Sequence, residues 1–142
     1  MIQLHNEGYM TLRPDPQGLS AARGRIRELV RRLQLPEDEA AGILIAVGEA
    51  ISNAYRHGTR NPDRDLIRLS WQHTVTDLVV TVKDDGKGLS RGSRQRTWAH
   101  PNSLAHGIEM MRAGTDEVRF FYDRGTKVVL RKRVRIMHEA IS

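Results

Sequence analysis

The sequence predicts an α+β fold: a two-layer α/β sandwich with a mixed, mostly antiparallel sheet and helices on one face. Three observations predict it. Two stretches near the N-terminus, 17–33 and 37–56, carry apolar residues at helical spacing. Strand-like segments then come in neighbouring pairs, within 67–83 and 118–130, with no helix inside either pair. One short helical stretch, 104–113, separates the pairs. Adjacent strand pairs argue against a doubly wound sheet, in which strands and helices alternate.

The elements follow in order. Residues 8–13 form a first strand. From Gln17 to Leu33, residues Leu19, Ala22, Ile26, Leu29, Val30 and Leu33 recur on one helical face, and Arg23, Arg27 and Arg31 lie opposite. Pro36 followed by Glu37, Asp38 and Glu39 marks a second helix start, with acids where the helix dipole favours them. That helix runs to about 56. Ala40, Ile43, Leu44, Val47, Ile51 and Ala54 lie on one side; Glu49, Ser52, Asn53, Arg56 and His57 lie on the other. Residues 59–65 read as a loop. Ile67, Leu69 and Trp71 alternate with polar residues, and Leu78, Val80 and Val82 repeat the period. Val118, Phe120 and Tyr122 form a further strand, Asp123-Arg124-Gly125 a turn, and Val128 and Leu130 belong to the last strand. The polar, Gly/Ser/Arg-rich stretch at 89–105 is expected to be a mobile loop, and Leu104 to Ala113 a short helix.

Bulk properties narrow the function. A chain of 142 residues is one domain by length. There is no cysteine, which excludes thiolate metal sites and fits a cytoplasmic protein. No apolar run approaches the ~18 residues needed to span a bilayer, and no signal peptide is expected. The net charge is +6, yet aromatics make up only 5% and no nucleic-acid motif is present, so direct nucleic-acid binding is not expected.

The chemistry concentrates in two segments. In Gly48-Glu-Ala-Ile-Ser-Asn-Ala-Tyr-Arg-His-Gly58, Glu49 and Asn53 stand one helical turn apart on the same side. An Asn oxygen suits magnesium, which takes few protein ligands and draws the rest from phosphates and water. A Glu one turn away can take a proton from an attacking hydroxyl. The plain alternative is a solvated polar helix face. His57 and Gly58 read as a helix end, with Gly58 as the residue that turns the chain out. Asp84-Asp-Gly-Lys-Gly88 follows a strand, where glycines allow a ligand to approach the backbone and Asp84 can accept from an adenine amino group. His106-Gly107-Ile108 opens the third helix, whose N–H groups suit phosphate. P-loop, Rossmann and zinc motifs do not occur.

Taken in order, these pieces resemble the GHKL (Bergerat-fold, histidine-kinase-like ATPase) family of DNA gyrase, Hsp90-type chaperones, sensor histidine kinases and MutL. The first box is Glu49 to Gly58, the second Asp84, Gly86 and Gly88, the third Ala105-His106-Gly107-Ile108, and a closing Gly-Thr is Gly125-Thr126. Length and spacing are most similar to the small bacterial anti-sigma factors that are also serine-protein kinases of partner-switching systems. The resemblance implies ATP and Mg2+ as cofactors. It implies Asn53 at the metal and Glu49 as the base acting on a partner's serine. It places Asp84 and the Thr126 hydroxyl at adenine, and Gly86, Gly88 and Gly107 along the nucleotide with Ala105 and His106. It puts His57 near the phosphates, and makes residues 89–105 the ATP lid. Arg23 lies where this family meets its partners. The implied function is an ATP-binding anti-sigma factor with serine/threonine-protein kinase activity. Its client is a sigma factor or similar protein, and its substrate a STAS-type anti-anti-sigma partner. Relatives often dimerise, so a homodimer is a further expectation.

Two departures accompany the resemblance. The glycine box begins with Ala105 where the family has Gly, and Asn102, Ser103 and Leu104 stand where a lid Arg is frequent; Arg91, Arg94 and Arg96 are the nearest substitutes. They support an alternative reading, an ATP-binding module that sequesters partners without efficient phosphoryl transfer. A detached sensor histidine kinase domain fits less well, because no helical dimerisation segment with a phosphoacceptor His is found.

Overall fold

The computed structural model describes residues 6–86, 101–122 and 124–134. Strand β1 (Asn6–Leu12) leads into helix α1 (Pro16–Arg32) through a side-chain cap. Asp15 is extended, and its Oδ1 accepts from the Gly18 N–H at 2.7 Å, while Pro16 fills a first-turn position that needs no donor. Arg31 and Arg32 close the helix, and Gln34 at φ 54° turns the chain out. Helix α2 (Glu37–Gly58) carries three acids in its first turn and Arg56 and His57 in its last, both favourable to its dipole. Strands β2 (Ile67–His73) and β3 (Asp77–Asp84), helix α3 (Pro101–Gly114), and strands β4 (Glu117–Tyr122) and β5 (Thr126–Arg133) complete the order.

The sheet runs β1-β2-β3-β5-β4, and all four neighbouring pairs are antiparallel. The mixed sheet anticipated from sequence is therefore antiparallel throughout the described strands. Strand β5 inserts between β3 and β4, and its register sets Lys83 against Lys127, which brings Asp84 to the level of Thr126. Alternation divides the faces. Ile67, Leu69, Trp71, Leu78, Val80, Val82, Val128 and Leu130 are buried, while Arg68, Gln72 and Lys127 are exposed on the opposite side. Against the buried face pack Ile26 and Leu29 of α1, Ile43 and Ile51 of α2 and Met111 of α3, each at most 2% exposed. Each such side chain contributes about 1.5–3 kcal/mol by leaving water.

One helix contact fixes the site. A Cβ on Gly114 would overlap the Gly42 carbonyl oxygen, so α2 and α3 touch backbone to backbone there. Both helices then run away from this contact, and seven residues back along α3, Gly107 meets Glu49 and Asn53.

Several boundaries differ from the sequence reading. Helix α3 starts at Pro101, three residues before the expected Leu104, with proline at its first position as helix chemistry allows. Residues 101–105 of the expected 89–105 loop are thus helical; 87–100, including Gly88, lie outside the described residues, as does Asp123 of the turn. Strand β1 ends at Leu12 rather than 13. No helix among the described residues is long and apolar enough to cross a membrane.

Candidate functional site

Glu49 and Asn53 project from α2 toward α3. A Cβ built on Gly107 would stand 3.0 Å from Asn53 Nδ2, 3.3 Å from Asn53 Oδ1 and 3.2 Å from Glu49 Oε1. The bare backbone of Gly107 therefore lies on both side chains. Asn53 is only 5% exposed, so the polar stripe is not a solvated face at this point. Neither its Oδ1 nor its Nδ2 has a hydrogen-bond partner among the described residues. Leaving a buried amide unmet costs about 1–3 kcal/mol, a cost that a ligand supplying partners would remove. Glu49 keeps a side chain about a quarter exposed, with Arg56 Nη2 4.0 Å from its Oε1.

A second cluster forms where β3, β5 and the end of α2 meet. Asp84 is buried, and its Oδ1 accepts from the Thr126 N–H at 3.1 Å. Three glycines close around it. A Cβ on Gly58 would overlap the Asp84 carboxylate, one on Gly86 would overlap the Gly58 carbonyl, and one on Gly125 would overlap the Asp84 carbonyl. Gly125 also takes φ 105°, beyond the range of ordinary side chains. Burial raises the Asp84 carboxyl from 3.8 to about 7. The Thr126 amide, Lys83 and the Gly86 amide oppose that rise, and Asp85 adds to it. The Thr126 hydroxyl is buried and lacks a hydrogen-bond partner among the described residues.

The two clusters share one helix. Five residues separate Asn53 from Gly58, about 7.5 Å along the axis. His57 is half-buried in the last turn of α2, and His106 is exposed beside Gly107. Ala105 lies in the second turn of α3. Arg23 stands apart from both clusters. It is exposed on α1, and its Nη2 donates to Ser52 Oγ of α2 at 2.9 Å, one residue before Asn53.

The sequence reading missed two relationships. Gly58 is the last helical residue, and Thr59 leaves in extended conformation, so Gly58 is not a left-handed helix stop. It is needed because Asp84 occupies the space of its side chain. Ser52, on the polar side of α2 by periodicity, anchors Arg23, a cross-helix pairing that no local pattern signals. A cavity of about 580 Å³, lined by Tyr9, Trp71, Val79 and Thr81 among others, opens at β1, β2 and β3 and contains none of the predicted site residues.

The donor set suits a magnesium nucleotide. At one end stands a buried carboxamide without a partner among the described residues, whose oxygen suits a hard cation, and at the other a buried carboxyl beside a buried hydroxyl that also lacks one. Among the described residues no group of three His, Asp or Glu side chains converges to hold a metal by protein ligands alone.

Residues 12–132 match the family described as the histidine kinase-like ATPase domain. The chain is 26% identical to serine-protein kinase RsbW of Listeria monocytogenes serotype 4a, over 94% of this chain and 91% of that relative. It is 29% identical to the anti-sigma F factor of Geobacillus sp. WCH70, over 92% of this chain and 94% of the relative. Among solved structures it is similar to the RsbU and RsbW domains of a Mycobacterium tuberculosis protein. The TM-score is 0.70 at 20% identity, covering 91% of this chain and 32% of that longer one. A histidine kinase domain from Erythrobacter litoralis gives a TM-score of 0.55 at 21% identity, covering 87% of this chain and 63% of that one. The two structural likenesses concern the fold, and this chain spans about a third of the first and less than two thirds of the second. A match that runs through all three helices, both strand pairs and every described site residue makes this chain a member of the histidine kinase-like ATPase family.

Proposed function

We propose that the chain binds magnesium-ATP between α2, α3 and the Asp84 end of the sheet. We propose further that it acts as an anti-sigma regulator and phosphorylates a serine on a small STAS-type anti-anti-sigma partner. The observation that carries this reading is the buried Asn53 carboxamide, without a hydrogen-bond partner among the described residues and set beside Glu49 under the bare backbone of Gly107. Asn53 Oδ1 holds the cation. Asp84 accepts from the adenine amino group, with the Thr126 hydroxyl beside it; Gly86, Gly88 and Gly107 let the backbone approach the nucleotide. Ala105, His106 and His57 border the phosphate end.

When bound, the magnesium nucleotide supplies the phosphoryl group and neutralises part of its charge. Glu49 takes the proton of the partner's serine hydroxyl as that oxygen bonds to phosphorus and the bond to the departing diphosphate breaks. Positioning and charge do most of the rest. Arg23, held on α1 by Ser52 of α2, meets the partner or a sigma-type client. The added phosphate carries negative charge into that interface and weakens the pairing, which frees the chain for its client.

Incubation with labelled ATP, magnesium and candidate STAS partners tests the reading. Label should pass to the partner's serine with the wild type and fall by two or more orders of magnitude with Glu49→Ala, the scale of a lost general base. Full activity in Glu49→Ala would remove Glu49 as base. Ala105, in place of the glycine that begins the family's third box, supports the second reading. Tight ATP binding with no labelling of any partner would favour that holding module.

A further inference from the structure

Lys83 stands one residue before Asp84, on the face of the sheet away from the helices. The register there sets three cations abreast: Arg68 lies opposite Lys83, and Lys83 opposite Lys127. Like charges directly opposite one another destabilise a sheet. Each of the three is relieved differently. Arg68 pairs with Asp85 at 2.6 Å. Lys127 Nζ lies 5.1 Å from the centre of the Phe121 ring. Lys83 turns to the end of the sheet, where its Nζ donates to two backbone carbonyls, Asp84 at 3.2 Å and Arg124 at 3.1 Å.

Those carbonyls belong to the two turns that frame Asp84. One is the exit of β3 through Asp85 and Gly86. The other is the β4–β5 turn, where Arg124 at φ 53° and Gly125 at φ 105° both hold left-handed backbone. Arg124 in that region is strained relative to glycine. Lys83 thus joins the two turns from outside, while inside, the Thr126 N–H reaches Asp84 Oδ1.

We propose that Lys83 is a positioning residue: its ammonium staples the two turns together and thereby holds the Asp84 carboxylate and the Thr126 hydroxyl in the geometry that selects the base. The functional half rests on the adenine reading above; the staple itself does not. Lys83 is half-buried at the surface, so its replacement leaves the core intact.

Lys83→Met keeps the length and removes the donor, and Lys83→Arg restores one. In nucleotide-free protein, hydrogen exchange at the Thr126 amide should quicken about tenfold in Lys83→Met, the scale of one charge-assisted hydrogen bond, and return to near wild type in Lys83→Arg. The ratio of ATP to GTP affinity, measured by calorimetry, should fall by a similar factor in Lys83→Met and recover in Lys83→Arg. Three results overturn the proposal: unchanged exchange and ratio in Lys83→Met, equal weakening of both nucleotides with an unchanged ratio, or Lys83→Arg behaving like Lys83→Met. A wild type with no preference for ATP would instead remove the adenine assignment and the selectivity role with it, and the exchange result would then decide for or against the staple.

Discussion

Replacing Asp84 by Asn should stabilise the nucleotide-free protein at pH 8 and leave it nearly unchanged at pH 4. Asp84 is 3% exposed, and burial lifts its carboxyl from 3.8 to about 7. The folded state therefore holds this proton more tightly than the unfolded chain does. Between pH 4 and 7 unfolding releases a proton, so the stability due to this group is full below about 3.8 and is lost as pH rises through about 7. At ~1.4 kcal/mol per tenfold change in proton affinity, the ionised side chain costs on the order of 4 kcal/mol above pH 7. Asn keeps an oxygen for the Thr126 amide without a charge. Urea unfolding of both proteins from pH 4 to 8.5 gives the difference directly. Asp65, Asp77 and Glu117, whose carboxyls are lowered mainly by hydrogen bonds, cancel because both proteins carry them. The difference should grow steadily between pH 4 and 7 and then level off. A flat difference across that range would refute the claim that the fold holds Asp84 at an electrostatic cost.

Further outcomes follow from the same geometry. Asn53→Leu, which replaces an unmet amide with a shape of similar size, should raise the stability of the nucleotide-free protein by about 1 kcal/mol while abolishing magnesium-dependent ATP binding; denaturant melts and calorimetry report the two effects separately. Gly86→Ala drives a methyl group into the Gly58 carbonyl and should cost about 1–3 kcal/mol, seen as a lower urea midpoint. Gly107→Ala meets only the tips of Asn53 and Glu49 at 3.0–3.3 Å. It should therefore cost less than ~1 kcal/mol in stability yet weaken ATP, and a large drop in melting temperature would contradict that.

How much of this was legible in the sequence depended on the range of each signal. The α2 face and the Leu78–Val82 alternation rest on neighbours a few residues apart, and periodicity reports them. The antiparallel pairing of β3 with β5 and the Gly42–Gly114 contact join residues about 45 to 70 positions apart, and no short window encodes them. The same limit applied at the site. Asn53 looked solvated because its burial comes from α3, which lies more than forty residues on. Gly58 looked like a helix stop because the reason for it, Asp84, sits on another strand. Motif order grouped residues that local physics could not relate: Glu49, Asn53 and Gly107 meet at the α2–α3 contact, and Asp84 and Thr126 meet at the end of the sheet.

The most direct test of the account is calorimetric titration of ATP into the wild type and Asn53→Ala, each with magnesium and with EDTA. The account predicts binding by the wild type that depends on magnesium, and loss of that magnesium-dependent part in Asn53→Ala with the fold intact. Wild-type protein that takes no ATP, or an Asn53→Ala protein that binds magnesium-ATP as tightly as the wild type, would contradict it.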